Sequence, residues 1–577
     1  MMRARGWDAV IVTGSDPHQS EYPALRWKQV EWLTGFTGEA GDVVVTLDHA
    51  GLWTDSRYFI QAVTQLEGTE VKLHKTRVPG QVLIPEWLSL TFGSRQDAVI
   101  AVDSLCQSCE AVRSLKEVFS VAAVPDLLDP MWNDRPGIPQ TPVFRLRSGE
   151  ERSDKIAWLR EMASENGCGA ILLSALDDVA WTLNVRASDI EYNPLVISYL
   201  LVGQDYVKWF VTKGETEDPV TASTFEALAS EGIEILPYAD AAIALGELED
   251  DLAADPSGLN YELYSAVRCN VVEMASPVRL RKATKNEFEV DGMREAHVRD
   301  GVAVEKFLYW LEKSIEGGRR VTEWDAAVKL GKLRSGTDGY LGDSFETISA
   351  YGPGAALPHY ITPKTDAPVL EPHGLYLCDS GAHYLCGTTD ITRTIPLGDC
   401  TPLEVRDYTL VLKGHIDLAM ARFPEGTPGC RIDALSRAPL WNAGLDFGHG
   451  TGHGVGFVLG VHEGPQDIRQ NLNGTSMMEN MITSDEPGIY REGQFGIRHE
   501  NLLLCVAAGR TEFGRFLRFE PLTLCHFDTS ILDTSLLEKR EVDWLNDYNA
   551  RVFETLSPML SEAEALWLGE KCKPVQL

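Results

Sequence analysis

Two stretches in the N-terminal half of the chain repeat one pattern, and a repeat commits a chain to building the same small fold twice. The first runs GWDAVIV (6–12), a Trp-Leu turn around WLTGFTG (32–38), VVVTL (43–47) and GLWTDSRYF (51–59). The second runs GCGAILL (167–173), AWTLNVR (180–186), LVISYLLVG (195–203) and YVKWFVTK (206–213). Both read as strand, turn, helix with Trp, then two strands. Short apolar runs alternating with helical patterns predict mixed α/β domains. Between the copies, DPMWNDRPGIPQTPVF (129–144) holds four prolines in sixteen residues. Proline removes backbone donors and fixes φ, so this stretch is a connector. A second break falls near RLRKATKNEFE (279–289), where Asn286 and Glu289 are spaced as an N-cap and its capping partner. The helix that follows carries apolar side chains at Phe288, Met293, Val302, Val304, Phe307 and Leu308. A chain of 577 residues is too long for one core. The breaks divide it into residues 1–140, 141–281 and 282–577, the last reading as one catalytic domain.

Charge and cysteine usage narrow the class. The formal net charge of −33 argues against nucleic acid and against anionic membranes as partners. No run of about 18 apolar residues is present to span a bilayer. The opening MMRARGWDAVIV runs straight into a strand-like segment, so no signal peptide is read. Eleven scattered cysteines do not form a disulfide framework, and a reducing cytoplasm is the expected compartment. Cys106 and Cys109 make a lone CxxC without a second pair at zinc-finger spacing, which reads as two ordinary small residues.

Five potential metal ligands lie in order along the last segment: Asp379, Asp390, His453, Glu486 and Glu500. Four carboxylates and one imidazole make a hard, oxygen-rich set that suits two divalent cations better than one structural zinc. The charges also balance, −4 from the carboxylates against +4 from two M²⁺. A two-metal site hydrolyses by an activated water. YLCDSGAHY (376–384) and GTTDITRTI (387–395) read as antiparallel strands that bring Asp379 and Asp390 together across a hairpin. Taken singly, either Asp reads as a surface turn. FGHGTGHGVGF (447–457) has five glycines, which let backbone approach a ligand closely and take positive φ. Its two His are four apart, no Lys-Ser or Lys-Thr follows as in a phosphate loop, and it is not HExxH. VHEGP with His462 comes next, and TSDEPGIY (483–490) sets Glu486 before Pro-Gly in a turn entering a strand. FGIRHENLL (495–503) alternates, with Arg498 and Glu500 on one face and His499 on the other. That places Arg498 to hydrogen-bond the ligand carboxylate two residues on. The plainer reading is a cross-strand ion pair on a half-exposed sheet.

Together these strings resemble the Xaa-Pro aminopeptidases (aminopeptidase P), three-domain members of the pita-bread metallopeptidases, over nearly the whole chain. SDPHQSEYPA and WLTGFTGEAG resemble the first domain, and WTLNVRASDIEYNP the second. SFETISAYGPGAALPHY, LCDSGAHYLCGTTDITRT, LKGHIDLA, GHGTGHGVG, VHEGP, SDEPGIY, GIRHEN and FEPLTL resemble the catalytic domain. DWLNDYNARV (543–552) resembles the C-terminal helix of the longer, eukaryotic-type subgroup. The resemblance implies an α/β (α+β) chain: two related creatinase-type N-terminal α/β domains followed by a C-terminal pita-bread catalytic domain. Asp379 would ligate one metal, Asp390 and Glu500 would bridge both, and His453 and Glu486 would complete the other. Manganese is the expected metal, with zinc or cobalt as alternatives.

The resemblance also assigns His359, in LPHY, to the scissile bond, and His462 to the carbonyl oxygen in the transition state. His449 would hold substrate or leaving group, and Arg498 and Tyr490 would support the site or line its pocket. The implied reaction is hydrolysis of an N-terminal Xaa-Pro bond by a metal-bridging hydroxide, with Glu486 passing the proton to the prolyl nitrogen. Peptides with proline second are the implied substrates, and a homodimer the implied assembly. Trp441 reads either as core or as interface. The chain departs from the family pattern at Gly354, where many relatives have Asn, and at Asn480, where they have Gly. Asn tolerates the left-handed conformation, so the second change is mild. The usual opening helix is largely absent before the first strand. A prolidase shares the five ligands but usually has one accessory domain, and a methionine aminopeptidase normally has none. Creatinase-type chemistry needs no metal, and a non-catalytic peptide-binding relative would lose ligands.

Overall fold

The repeat folds as two six-stranded sheets of one topology. The computed structural model describes residues 1–76, 78–93, 95, 97–212 and 218–577. Lys213, the last residue of the second repeat's YVKWFVTK run, lies outside the described residues. The first sheet comprises β1 (Ala9–Val12), β2 (Asp42–Thr46), β3 (Ala50–Thr54), β4 (Lys72–Lys75), β5 (Val99–Asp103) and β6 (Ser120–Val124), in the order β4-β3-β2-β1-β5-β6. The second comprises β7 (Ala170–Leu173), β8 (Ser198–Gly203), β9 (Val207–Val211), β10 (Ile233–Pro237), β11 (Leu252–Ala254) and β12 (Val271–Glu273), in the order β10-β9-β8-β7-β11-β12. In each, the first strand pairs antiparallel with the second and parallel with the fifth. The other pairings also agree in sense, antiparallel between second and third strands and parallel at both edges.

Helix α1 (Gln29–Thr34) follows β1 and α2 (Leu176–Leu183) follows β7, and both end on a left-handed residue: Gly35 with φ 75° and Asn184 with φ 53°. Glycine and asparagine are the residues that accept this helix-ending conformation most readily. Alternation along the first sheet explains its apolar runs. Val10, Val12, Val43 and Leu52 enter one cluster, while Ala9, Ile11, Val44 and Trp53 enter another. Both faces are therefore covered, as continuous apolar strands require. The proline-rich residues 129–143 form neither helix nor strand. Cys106 and Cys109 are buried free thiols, and burial pushes Cys109 up to about 11.

Arg279–Leu577 form a separate compact unit. Its first long helix, α3 (Glu287–Glu316), opens with the Asn286–Glu289 capping box. Met293, Val304, Phe307 and Leu308 are buried. Phe288, in the first turn, is 38% exposed and stays outside that face. Helix α4 (Glu323–Ser335) leads into a three-stranded antiparallel sheet, β13 (Ile348–Tyr351), β14 (Leu375–Ser380) and β15 (Ile391–Pro396), with β14 at its centre. Then follow α5 (Pro402–Ala419), β16 (Arg422–Pro424), α6 (Asp433–Asn442), β17 (Gly452–His453), β18 (Ile482–Asp485), β19 (Gly488–Arg491), β20 (Phe495–Arg498), β21 (Asn501–Thr511) and β22 (Gly514–Pro521). A second sheet has the order β16-β22-β21-β18. Helices α7 (Lys539–Leu556) and α8 (Glu562–Lys571) close the chain. Phe307, Tyr376, Tyr408, Ile497, Phe527 and Leu545 pack into one core cluster.

Two expectations need correction. The runs 376–384 and 387–395 each break in two. β14 stops at Ser380, and short strands Ala382–Tyr384 and Gly387–Thr388 join a separate sheet. The break falls at Gly381, where a Cβ would meet Thr389 O at 2.1 Å and Ser344 Oγ at 2.2 Å. Trp441 is 45% exposed and is not a core residue. Among the described residues, no helix is long and apolar enough to cross a membrane.

Candidate metal centre

Asp379 is set by β14, whose register places it opposite Ile348 on one side and Thr392 on the other. Asp390 immediately precedes β15, so the two aspartates leave the same end of one ladder, and both are buried. Glu500 occupies the break between β20 and β21. Its N–H donates to Thr392 O at 3.0 Å, and its carboxylate accepts from Thr392 Oγ1 at 2.8 Å. Thr392 thus ties the strand that follows Asp390 to Glu500.

The glycine-rich segment is held from α6. Arg437, fully buried, donates to Asp433 Oδ2 (2.8 Å), Phe447 O (2.7 Å) and His449 O (2.7 Å), and stacks on the Phe447 ring at 3.8 Å. Thr451 Oγ1 donates to the other Asp433 oxygen at 2.6 Å. The Thr451 carbonyl accepts the Glu486 N–H at 2.8 Å, which sets Glu486 in the gap between β18 and β19. The glycines of this segment work by size and not by unusual φ. Gly450, Gly452, Gly454 and Gly456 are all outside the positive-φ set, contrary to the sequence expectation. A Cβ on Gly452 would come within 2.0 Å of Ser484 O, and one on Gly454 within 2.0 Å of Glu463 O. The close approach lets the His453 N–H donate to Ser484 Oγ at 2.9 Å.

These elements bring the donors together. Asp390, His453 and Glu500 each offer a ligand atom within 4.8 Å of the others. His453 Nε2 lies 3.5 Å from Asp390 Oδ2 and 3.4 Å from Glu486 Oε1. Asp379 joins through Arg498, whose Nε and Nη2 donate to Asp379 Oδ2 at 3.2 and 2.5 Å. This corrects the expected partner, Glu500, because Arg498 reaches across to β14. Nor is the pair half-exposed, since Arg498 is fully buried. His499 points the other way, into the core, edge-on to Tyr408 and Phe527.

The remaining predicted residues surround this cluster. The His462 ring stands edge-on to His453, centroids 4.3 Å apart. Arg498 Nη1 donates to Tyr490 OH at 2.7 Å, and Tyr490 OH lies 2.7 Å from His449 Nε2. Because the guanidinium only donates, the phenol proton is left for His449 Nε2, and His449 Nδ1–H faces Gly450 O at 2.8 Å. His359 is half-buried in the turn after β13. Arg498 Nη2 donates to Pro358 O at 3.4 Å, so that turn reaches the same guanidinium. Glu323 grips both ends of the turn, accepting from Tyr351 N at 2.7 Å and Tyr360 OH at 2.8 Å. Sequence reasoning missed Glu323, Asp433 and Arg437. The local signals, a helix-start acid and an i,i+4 pair, point nowhere near the site.

The donor chemistry fits divalent cations. Burial, opposed by Arg498 and reinforced by Asp390, raises the Asp379 carboxyl above its ordinary range. Burial also raises Glu486, and burial with Asp390, Glu486 and Asp379 as neighbours raises Glu500 strongly. Like charges crowded out of water call for a positive partner. Asp379 Oδ1 is buried without a hydrogen-bond partner, a free lone pair aimed at no protein donor.

Comparison with known proteins gives a consistent picture. A model described as Metallopeptidase family M24 matches residues 291–507, and one for the C-terminal region of peptidase M24 matches 515–575. Models for the Creatinase/Prolidase N-terminal domain match 1–135 and 134–289. Aminopeptidase P2 of Arabidopsis thaliana is 37% identical, covering 99% of this chain and 86% of its own length. Xaa-Pro aminopeptidase app-1 of Caenorhabditis elegans is 38% identical, covering 98% and 95%. The crystal structure of X-prolyl aminopeptidase from Caenorhabditis elegans, described as a cytosolic enzyme with a di-nuclear active site, superposes with a TM-score of 0.92 at 37% identity, covering 99% of this chain and 95% of its own. The Xaa-Pro dipeptidase from Bacillus anthracis, 26% identical, gives 0.51 and covers 65% of this chain and 98% of its own.

Proposed function

This chain belongs to the Xaa-Pro aminopeptidases of metallopeptidase family M24, and from that premise we propose that it removes the first residue from peptides whose second residue is proline. One observation carries the reading: Asp390, His453 and Glu500 converge, with Glu486 3.4 Å from His453 and Asp379 held beside them by Arg498. Asp379, Asp390, His453, Glu486 and Glu500 would hold two divalent cations, manganese in our reading because four carboxylates favour a hard ion. When bound, such a pair activates a water as nucleophile and polarises the scissile carbonyl.

The chain's own groups do the rest. Glu486 accepts a proton and delivers it to the prolyl nitrogen, a step the reaction needs because an Xaa-Pro bond is a tertiary amide without N–H. Ser484 Oγ, donating to Glu486 Oε1 at 3.1 Å, fixes the rotation of that carboxylate. His462, beside His453, stabilises charge on the carbonyl oxygen. His359 meets substrate near the scissile bond, on the turn that Glu323 grips. His449 faces the leaving proline and takes its orientation from Tyr490. We read residues 1–140 and 141–281 as the two creatinase-like domains and 282–577 as the catalytic domain. The chain acts as a cytoplasmic homodimer, to which the exposed Trp441 offers an aromatic contact.

The prolidase reading is less favoured, because the Bacillus anthracis dipeptidase spans 65% of this chain and the nematode aminopeptidase 99%. Cleavage after reconstitution with Mn²⁺ tests the choice. The substrates are a tripeptide with proline second, a matched one with alanine second, and an Xaa-Pro dipeptide. Release of only the first residue from the long proline peptide is expected. Cleavage of the dipeptide alone would make the chain a prolidase, and no cleavage of any peptide would make it a binding relative.

A further inference from the structure

Apart from the five donors, a carboxylate, an imidazole and a thiol meet inside the same unit. Glu305 lies mid-α3 and is 1% exposed, while Cys525 and His526 are 0% and 2% exposed. Each offers a ligand atom within 4.8 Å of the other two. Consecutive residues of a regular strand point to opposite faces. Residues 522–529 have left β22 and are irregular, which lets both side chains turn toward α3. Glu305 Oε1 accepts the His526 N–H at 2.8 Å, and its two oxygens lie 3.1 and 2.9 Å from His526 Nδ1. Trp567 of α8 closes the site, its ring edge-on to His526 at 5.3 Å. Cys572, buried just past α8, senses the same carboxylate: after burial, Glu305 is the largest cause raising both the Cys525 and the Cys572 thiols.

A carboxylate buried this deeply needs a positive partner. His526 provides one only when protonated, whereas a divalent cation provides one and uses the thiol as well. Zinc bonds of about 2.3 Å to sulfur and about 2.0–2.2 Å to nitrogen and oxygen set tetrahedral ligand atoms about 3.3–3.7 Å apart. Sulfur, nitrogen and oxygen together form a borderline-soft set, unlike the oxygen-rich set around His453.

We propose that Glu305, Cys525 and His526 form a structural site for one zinc-type divalent cation. The site would brace the catalytic centre through Arg393. This buried guanidinium donates to Cys525 O (2.7 Å) and His526 O (3.1 Å), and also to Thr392 O (3.0 Å) and Glu500 O (2.6 Å).

Cobalt tests the proposal on the full-length protein. The metal-free chain is reconstituted with Co²⁺, and its bound metal and near-ultraviolet spectrum are measured. About three cations per chain and a thiolate-to-cobalt charge-transfer band are expected. Cys525→Ser should lose the band and one equivalent while keeping the other two. No cysteine is among the five donors at His453, so the band reports this site whatever peptide the enzyme cleaves. A wild-type chain with two equivalents and no thiolate band would overturn the proposal, leaving a buried Glu–His pair. A band that persists in Cys525→Ser would overturn it as well. If that variant fails to fold, the wild-type spectrum and stoichiometry decide alone.

Discussion

Replacing Arg498 with Lys separates its charge from its shape. The guanidinium makes two bonds to Asp379 Oδ2 and one to Tyr490 OH at 2.7 Å, with further contacts to Thr392 Oγ1 at 3.2 Å and Pro358 O at 3.4 Å. A lysine keeps the positive charge near Asp379, but it has no fork with which to reach Tyr490, Thr392 and Pro358 as well. Its largest single loss is the charge-assisted bond to Tyr490, worth about 1.5–3 kcal/mol. The chain Arg498–Tyr490–His449 is then broken, and Asp379 is free to rotate. Since neighbouring losses do not add, about 2–3 kcal/mol of transition-state stabilisation is the expected net effect, a fall of about 30- to 150-fold in kcat/KM. Mn²⁺ affinity should fall by about 10- to 100-fold, the usual effect of losing a group that orients a ligand. The assay is steady-state cleavage of an Xaa-Pro tripeptide across a Mn²⁺ titration. Arg498→Met provides the contrast, removing charge and shape together and costing about 3–5 kcal/mol of stability. If Arg498→Lys stays within about threefold of wild type on both measures, the claim that the fork orients Asp379 is wrong.

Three further outcomes follow from the same geometry. Gly452→Ala puts a Cβ 2.0 Å from the Ser484 carbonyl, which gives way only if β18 moves. It should cost about 1–3 kcal/mol and lower metal occupancy, and an unchanged melting temperature and metal content would refute the close-packing argument. Burial raises Glu323 from 4.5 to about 7. Since the folded value lies above the unfolded one, its contribution to stability is full below about pH 4.5 and is lost as pH rises through about 7. Glu323→Gln should flatten that part of the stability–pH curve, and an identical slope over the window would show that another group sets it. Exhaustive chelation should abolish peptide cleavage and lower the melting temperature, with both restored by Mn²⁺, because the cations oppose repulsion among Asp379, Asp390, Glu486 and Glu500. A chelated enzyme that retains full turnover would exclude metal-dependent hydrolysis.

Much of this molecule is legible in its sequence wherever a local pattern has one cause. The repeat shows because strand, helix and strand recur in order, and its two helices end on Gly35 and Asn184, the kinds of residue that helix ends favour. Of the candidate donors, Asp390, Glu486 and Glu500 show because each sits in a polar break beside an apolar strand, whereas Asp379 and His453 lie within β14 and β17 and show as polar residues in strands. What stays hidden is which side chain holds which donor. Spacing along the chain points Arg498 at Glu500, two residues away. The pairing of strands far apart in sequence delivers it instead to Asp379, 119 residues away. The glycines of 447–457 look alike in composition, yet whether a glycine serves positive φ or close approach depends on what lies opposite, here the carbonyls of Ser484 and Glu463. Glu323 and Arg437 are hidden for a deeper reason. Glu323 opens α4, where an acid suits the helix dipole, and Arg437 pairs with Asp433 one turn back on α6. Each has a sufficient local explanation, so nothing in its surroundings calls for a second role. Yet Glu323 grips the turn carrying His359, and Arg437 grips the segment carrying His449 and His453. The groups that hold a site in shape are drawn from residues already fixed by their own helix, because only a side chain that is itself immobile fixes another.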